Sequence, residues 1–159
     1  MALSVTLRSI DLATDVPLLA VALTAGAELS KDLEPLDRAL GGALGRTLSR
    51  RDFRGGRDET LHLAGGAKGP QRVLLVGMGK PSDDRATGDS AVALKRAASL
   101  AARQAHRAGA GRLAFYSPAM TERGVESTVA GLAAGAWEYT ETRTAPPPDE
   151  RRAPLESAE

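Results

Sequence analysis

The residues best placed for chemistry are Gly77-Met78-Gly79-Lys80, a glycine pair and a lysine directly behind an apolar run. A nucleotide-triphosphate loop would need glycine where Leu74 stands and Ser or Thr where Pro81 follows the lysine. The dinucleotide fingerprint would need its third glycine at Ser82. The favoured reading is a structural strand exit, with glycine admitting backbone conformations closed to other residues. Imidazole metal sites need convergent histidines, and His62 and His106 lack partners at ligand spacing. Asp83-Asp84 offers oxygen ligands to a hard cation, but adjacent carboxylates in a polar loop read as a solvated turn. No G-x-S-x-G elbow exists, and no histidine is placed to activate a serine. Arg50–Arg57 (RRDFRGGR) is the interaction candidate. Its arginine forks suit phosphates and Phe53 could stack on a base, while Asp52, Asp58 and Glu59 dilute the charge.

These residues need a scaffold, and the scaffold is organised around Arg72–Lys80 (RVLLVGMGK). Val73–Val76 is an all-apolar, partly β-branched run stopped by glycine, the pattern of a strand buried on both faces of a parallel sheet. Leu3, Val5 and Leu7 alternate with polar residues, which predicts a half-buried strand at or near an edge. Leu18–Leu23 predicts a second fully buried strand, ended by Gly26. Asp32 is an expected N-cap, with Pro35 in the first turn, where its missing N–H costs nothing. Leu33, Leu36, Leu40 and Leu44 then form one stripe on a single predicted helix, with Gly41-Gly42 inside it for close packing.

Thr60–Leu63 predicts a third strand. A long helix is expected over about 91–108, capped by Thr87, Asp89 or Ser90, with Leu94, Ala97, Ala98, Ala101, Ala105 and Ala108 inward and Gly109 as C′ residue. Arg112–Tyr116 predicts another strand. A further helix over about 121–137 is expected to face inward through Val125, Val129, Leu132, Ala133 and Ala136. From Thr140 the chain turns proline-rich and charged, so 140–159 is expected to be a linker or tail rather than packed structure. Helices between apolar strands imply parallel crossovers, hence a three-layer α/β/α domain with a mixed, mostly parallel sheet.

At 159 residues the chain can bury roughly two-thirds of its unfolded surface. A net charge of +1 gives no global drive towards nucleic acid or anionic membrane. With no cysteine, disulfides and thiolate metal sites are excluded. The longest apolar run, Val16–Leu23, is too short to span a bilayer, and no signal peptide is recognisable. A cytoplasmic location is expected.

Four blocks, in order, carry a resemblance. Leu36-Asp37-Arg38-Ala39-Leu40-Gly41-Gly42 resembles LDxxLxG, and Phe53-Arg54-Gly55 resembles FxG. Arg72–Lys80 is similar to RVLLVGLGK, and Gly131–Arg143 to a closing GxxLAxYxFDxYK. Together they resemble the N-terminal domain of the leucyl aminopeptidase, or cytosol aminopeptidase, family over about residues 2–144. Departures are Gly56 for a usual lysine, Trp137 and Tyr139 for Tyr and Phe, and the lack of the usual Asp in Glu138-Tyr139-Thr140.

The resemblance implies a macro-domain-like fold over 1–139, with 140–159 leading towards a catalytic domain that this chain lacks. It implies a hexameric exopeptidase that removes N-terminal residues, leucine especially. Two zinc or manganese ions would be held by the absent domain, in motifs such as NTDAEGR. No catalytic, cofactor-binding or metal residue is therefore assigned here, and the expected role is oligomer assembly and active-site access. The alternatives are a macro-type module binding an ADP-ribose-like nucleotide near Gly77–Lys80, or DNA contact through Arg50–Arg57.

Overall fold

The computed structural model describes residues 3–7, 9, 11–80, 90–118, 120–137, 152 and 154–159. Leu18–Leu23 (β2) and Arg72–Gly77 (β4) lie side by side and parallel, Leu23 level with Gly77. Arg112–Tyr116 (β5) pairs parallel with the other edge of β2, and Thr60–Ala64 (β3) pairs antiparallel with β4. Ser4–Val5 (β1) and Ser157–Ala158 (β6) complete the order β1-β6-β5-β2-β4-β3. The sheet is mixed and mostly parallel. Its middle is shared by β2 and β5, with β4 one strand in from the antiparallel edge.

Alternation along the buried strands divides the core in two. Leu18, Ala20, Ala22, Leu74, Val76, Leu113 and Phe115 face Ser90–Arg107 (α3), whose Leu94, Ala97, Ala98, Ala101 and Ala105 are buried as the periodicity predicts. Leu19, Val21, Leu23, Val73 and Leu75 face the opposite way, onto Leu33, Leu36, Leu40, Leu44 and Phe53. Because successive side chains of a strand point to opposite faces, a run that is apolar at every position must be covered on both.

The leucine stripe is buried as expected, but not by one helix. A 3-10 turn at Lys31–Leu33 leads into Glu34–Ala39 (α1), which holds Pro35 in its first turn, and Ala43–Ser49 (α2) follows after a break. Asp32 lies within the 3-10 turn and does not cap the helix. Gly41 and Gly42 take φ of 62° and 78°, so they break the helix rather than let a neighbour approach it. Gly42 N–H bonds to Asp37 O (2.8 Å) and Gly41 N–H to Arg38 O (3.1 Å), the paired bonds of a Schellman ending. The Asp37 carboxylate then accepts Gly45 N–H at 2.8 Å, satisfying an orphan donor in the first turn of α2.

Glu122–Ala136 (α4) has the expected limits, and of its expected inward face Leu132 is buried and Ala136 packs on the core, while Val129 and Ala133 turn outward. Val129 is 39% exposed and Ala133 is exposed, while Gly124, Thr128, Gly131, Leu132 and Gly135 are buried. The stripe keeps its helical period but is rotated about the axis. A Cβ on Gly131 would strike the Lys95 carbonyl oxygen, and one on Gly135 that of Ser99, so α4 lies backbone to backbone against α3. Dispersion and weak Cα–H contacts at that range replace the larger apolar side chains expected there.

Two terminal expectations also change. The N-terminal strand is only Ser4–Val5, at the predicted edge, and Leu7 is 73% exposed. The chain's last residues, expected to be unpacked, return to the sheet: Ser157–Ala158 lies between β1 and β5, and Leu155 and Ala158 are buried. Phe115 N–H bonds to Glu159 O (2.7 Å) and Glu159 N–H to Leu113 O (3.0 Å). Composition hid this strand because two residues are too few to show a period.

Candidate functional site

In open α/β sheets ligands gather beyond the carboxyl ends of the strands, where neighbouring strands send their connections to opposite faces. Here β2 leads to α1 on one face and β4 leads to α3 on the other, so the crevice belongs at Thr24–Gly26 and Gly77–Lys80. Backbone fills it. Gly77 N–H bonds to Glu59 O (2.7 Å), Met78 N–H to Leu23 O (2.9 Å) and Gly79 N–H to Gly55 O (3.0 Å). Ala25 N–H bonds to Gly79 O (3.1 Å), Asp58 N–H to Gly77 O (3.1 Å) and Gly26 N–H to Arg54 O (3.1 Å).

A phosphate cradle works by aiming free N–H groups at the anion, and these three are already spent. Gly79 takes the positive φ (80°) expected of a strand exit, while Gly77 is small for a different reason: a Cβ there would strike the Gly56 carbonyl oxygen. Lys80 is exposed beyond this seal.

The loop that makes the seal is part of the arginine-rich segment. Phe53 is only 3% exposed and packs among Leu23, Leu44 and Leu48 of the core, so its ring is not available to stack on a base. The acids do not simply dilute the charge. The Glu59 carboxylate accepts Gly56 N–H (2.7 Å) and Arg54 N–H (3.1 Å), and Asp58 pairs with Arg96 of α3. Arg96 also donates to Met78 O (3.2 Å). Among the described residues the guanidinium groups of Arg50, Arg51, Arg54 and Arg57 make no hydrogen bond or ion pair, and all four are exposed.

Beside this loop lies an open cleft of about 890 Å³, walled by Glu28 and Leu29 after β2, Leu48 of α2, and Arg51, Phe53 and Arg54. The sequence reading missed it because its walls come from three separate segments. The buried Ser30 hydroxyl, next along from Leu29, has no hydrogen-bond partner among the described residues.

The remaining candidates stay apart. His62 is exposed on the edge strand β3, beside Arg72 and Arg107, while His106 is half-buried near the end of α3. Asp83-Asp84 and the capping candidates Thr87 and Asp89 fall outside the described residues. Among the described residues no group of three or more His, Asp or Glu converges to hold a metal. Tyr116, at the end of β5, has its phenol pKa raised above 10.0 by burial and then by the Asp32 carboxylate. No helix among the described residues is long and apolar enough to cross a membrane.

Comparison with known proteins matches residues 20–146 to the model of the N-terminal domain of the cytosol aminopeptidase family. A probable cytosol aminopeptidase of Cupriavidus necator is 40% identical over 92 residues, 55% of this chain and 18% of the relative. Among solved structures, a point mutant of tomato leucine aminopeptidase superposes with a TM-score of 0.71 at 22% identity, over 99% of this chain and 32% of that one. The chain thus spans about a fifth of the curated relative and a third of the solved one.

Proposed function

The chain belongs to the cytosol aminopeptidase family, as its N-terminal domain, and from that premise we propose that it is the non-catalytic domain of a metal-dependent leucyl aminopeptidase. The parent protein would remove N-terminal residues, leucine preferentially, in the cytoplasm. A separate catalytic domain would supply the zinc or manganese pair. This domain, macro-like in architecture, would serve assembly of a hexamer and access to its active sites. One observation supports the non-catalytic part of the reading: at the strand-end crevice, where an α/β enzyme would bind substrate, the N–H groups of Gly77, Met78 and Gly79 already donate to the carbonyl oxygens of Glu59, Leu23 and Gly55.

Hydrolysis of a leucyl anilide with added zinc or manganese tests it. The 159-residue chain is expected to be inactive, and a polypeptide extended to the length of its relatives active and hexameric by light scattering. Turnover by the short chain would overturn the reading.

DNA contact through Arg50–Arg57 is a second reading, favoured by the four unpaired guanidinium groups. It requires duplex binding that weakens steeply with salt. A flat titration at low salt ends it. The nucleotide reading at Gly77–Lys80 is disfavoured because the N–H groups of Gly77, Met78 and Gly79 are bonded to carbonyl oxygens.

A further inference from the structure

Among the described residues the sheet ends in the two-residue strand β1 on one side and in the five-residue strand β3 on the other. β3 pairs with β4 alone, with Leu61 facing Leu75 and Leu63 facing Val73. In an antiparallel ladder, facing residues alternate between pairs that exchange both backbone hydrogen bonds and pairs that exchange none. Gly77 N–H bonds to Glu59 O (2.7 Å) and Gly65 N–H to Gln71 O (3.0 Å) at the two ends of this ladder. Those bonds fix the phase. The backbone groups of Leu61 and Leu63 point to β4, and those of Thr60, His62 and Ala64 point away from it. Among the described residues no backbone group meets them. An exposed row of N–H and C=O groups is a template for another strand.

The two faces of this edge differ in chemistry. Leu61 and Leu63 are half-buried and pack on the core that α1 and α2 cover. On the other face His62, Arg72, Gln104 and Arg107 line an open groove of about 490 Å³ between the edge and the last turns of α3. Among the described residues no carboxylate lines it. The acids just before β3 are engaged elsewhere, Asp58 with Arg96 and Glu59 with the N–H groups of Gly56 and Arg54. Arg72 gives one long bond to the Ala108 carbonyl oxygen (3.4 Å), and Arg107 makes no hydrogen bond or ion pair among the described residues. Both arginines are exposed. Two guanidinium forks with no carboxylate between them suit an acidic partner.

We propose that β3 is a docking edge for an extended acidic segment of a partner protein, which adds to the sheet as an antiparallel strand. Main-chain hydrogen bonds to Thr60, His62 and Ala64 set its register. Directly opposed residues share a face, so every second side chain of the segment lies over the groove, where Asp or Glu meets Arg72 and Arg107. The side chains between them lie beside Leu61 and Leu63 and are apolar. A second copy of this chain is a poorer occupant. Antiparallel pairing of two β3 strands would set the arginines of both copies on one face with no carboxylate between them. The segment is held through its interior backbone and side chains, so a free N-terminus plays no part, and the proposal does not rest on the peptidase reading.

The probe is an octapeptide of alternating Glu and Val, acetylated at its N-terminus and amidated at its C-terminus. Calorimetry with the 159-residue chain is expected to show saturation at millimolar concentration or below, weakening as salt is added. Amide hydrogen exchange followed by NMR should show Thr60, His62 and Ala64 becoming protected on binding, with Leu61 and Leu63 already slow in the free chain. Methylating the Glu backbone nitrogens should abolish binding and methylating the Val nitrogens should spare it, because only the Glu N–H groups face β3. Arg72→Gln combined with Arg107→Gln should weaken binding about tenfold, the loss of two exposed charge-assisted contacts. No binding of the Glu–Val peptide overturns the proposal. So does equal binding by a Lys–Val counterpart or by the Glu-methylated peptide, or an unchanged affinity in the double variant. A duplex oligonucleotide that takes the groove more tightly than the peptide would also overturn it. So would a dimer by light scattering in which Thr60, His62 and Ala64 are protected without peptide, since that assigns the edge to a second copy.

Discussion

Arg96 of α3 places its Nε 2.9 Å from the Asp58 carboxylate while its terminal nitrogen donates to the Met78 carbonyl oxygen at 3.2 Å. One side chain thus ties α3 to the end of β4 and to the loop that seals it. Asp58 is itself at φ 60°, a conformation that Asp tolerates better than most residues. The Asp58 side chain is half exposed, so the ion pair alone contributes at most about 1 kcal/mol. Arg96→Ala also strips a partner from the buried end of β4 and should cost about 1–2 kcal/mol. Urea unfolding of Arg96→Ala, Asp58→Asn and the double variant should give a coupling of about 0.5–1 kcal/mol that shrinks with salt.

Gly131→Ala sets helix propensity against packing. Alanine is the better helix former by about 1 kcal/mol, yet its Cβ would meet the Lys95 carbonyl oxygen and Ala98. Backbone cannot yield as a flexible side chain does. The substitution should therefore destabilise by about 2–3 kcal/mol. Ala130→Gly, one residue away on the exposed face, should cost only the propensity term. Thermal melts of the two variants distinguish packing from propensity, and equal losses would refute the backbone-to-backbone contact.

Arg51→Gly should stabilise the chain by up to about 1 kcal/mol. Relief of the left-handed strain at φ 59° is partly offset by the greater freedom of glycine in the unfolded chain. Gly109→Ala, which places a Cβ in the same conformation with open space around it, should cost a similar amount. The two shifts in melting temperature should be opposite in sign.

Tyr116 predicts a pH dependence on the alkaline side. Burial, with Asp32 adding to it, raises the phenol above its ordinary 10.0 in the folded state. The unfolded chain therefore loses this proton first, and stability falls as pH rises through the folded-state pKa. Below pH 10 the contribution is fully present. Tyr116→Phe should flatten the alkaline fall in urea midpoint, and absorbance titration of the phenolate should show Tyr116 ionising later than a free tyrosine. A wild-type midpoint as steep as that of the variant would contradict this.

The mixed parallel sheet, its buried strands and the α3 face were legible in the sequence because each rests on a local pattern. Continuous apolar runs such as Leu18–Leu23 and Val73–Val76 have no stable place except between two covered faces. The alanine periodicity of α3 repeats for five turns, long enough to fix a face. The family resemblance was legible for the same reason, its blocks being contiguous.

What the tertiary structure decided is whatever depends on distance across the fold. Helical period alone does not say which stripe of α4 faces inward, because valine and glycine stripes share it; the nearness of the Lys95 and Ser99 carbonyl oxygens selects glycine. Ser157–Ala158 is a strand only because β1 and β5 stand on either side to receive its hydrogen bonds. The N–H groups of Gly77–Gly79 are unavailable to a ligand because Leu23, Gly55 and Glu59 reach them first. The loop arginines are left unpaired while Asp58 binds Arg96 and Glu59 binds backbone N–H groups instead. Composition determined which elements this protein could build, and long-range geometry determined which polar groups were left over when they packed.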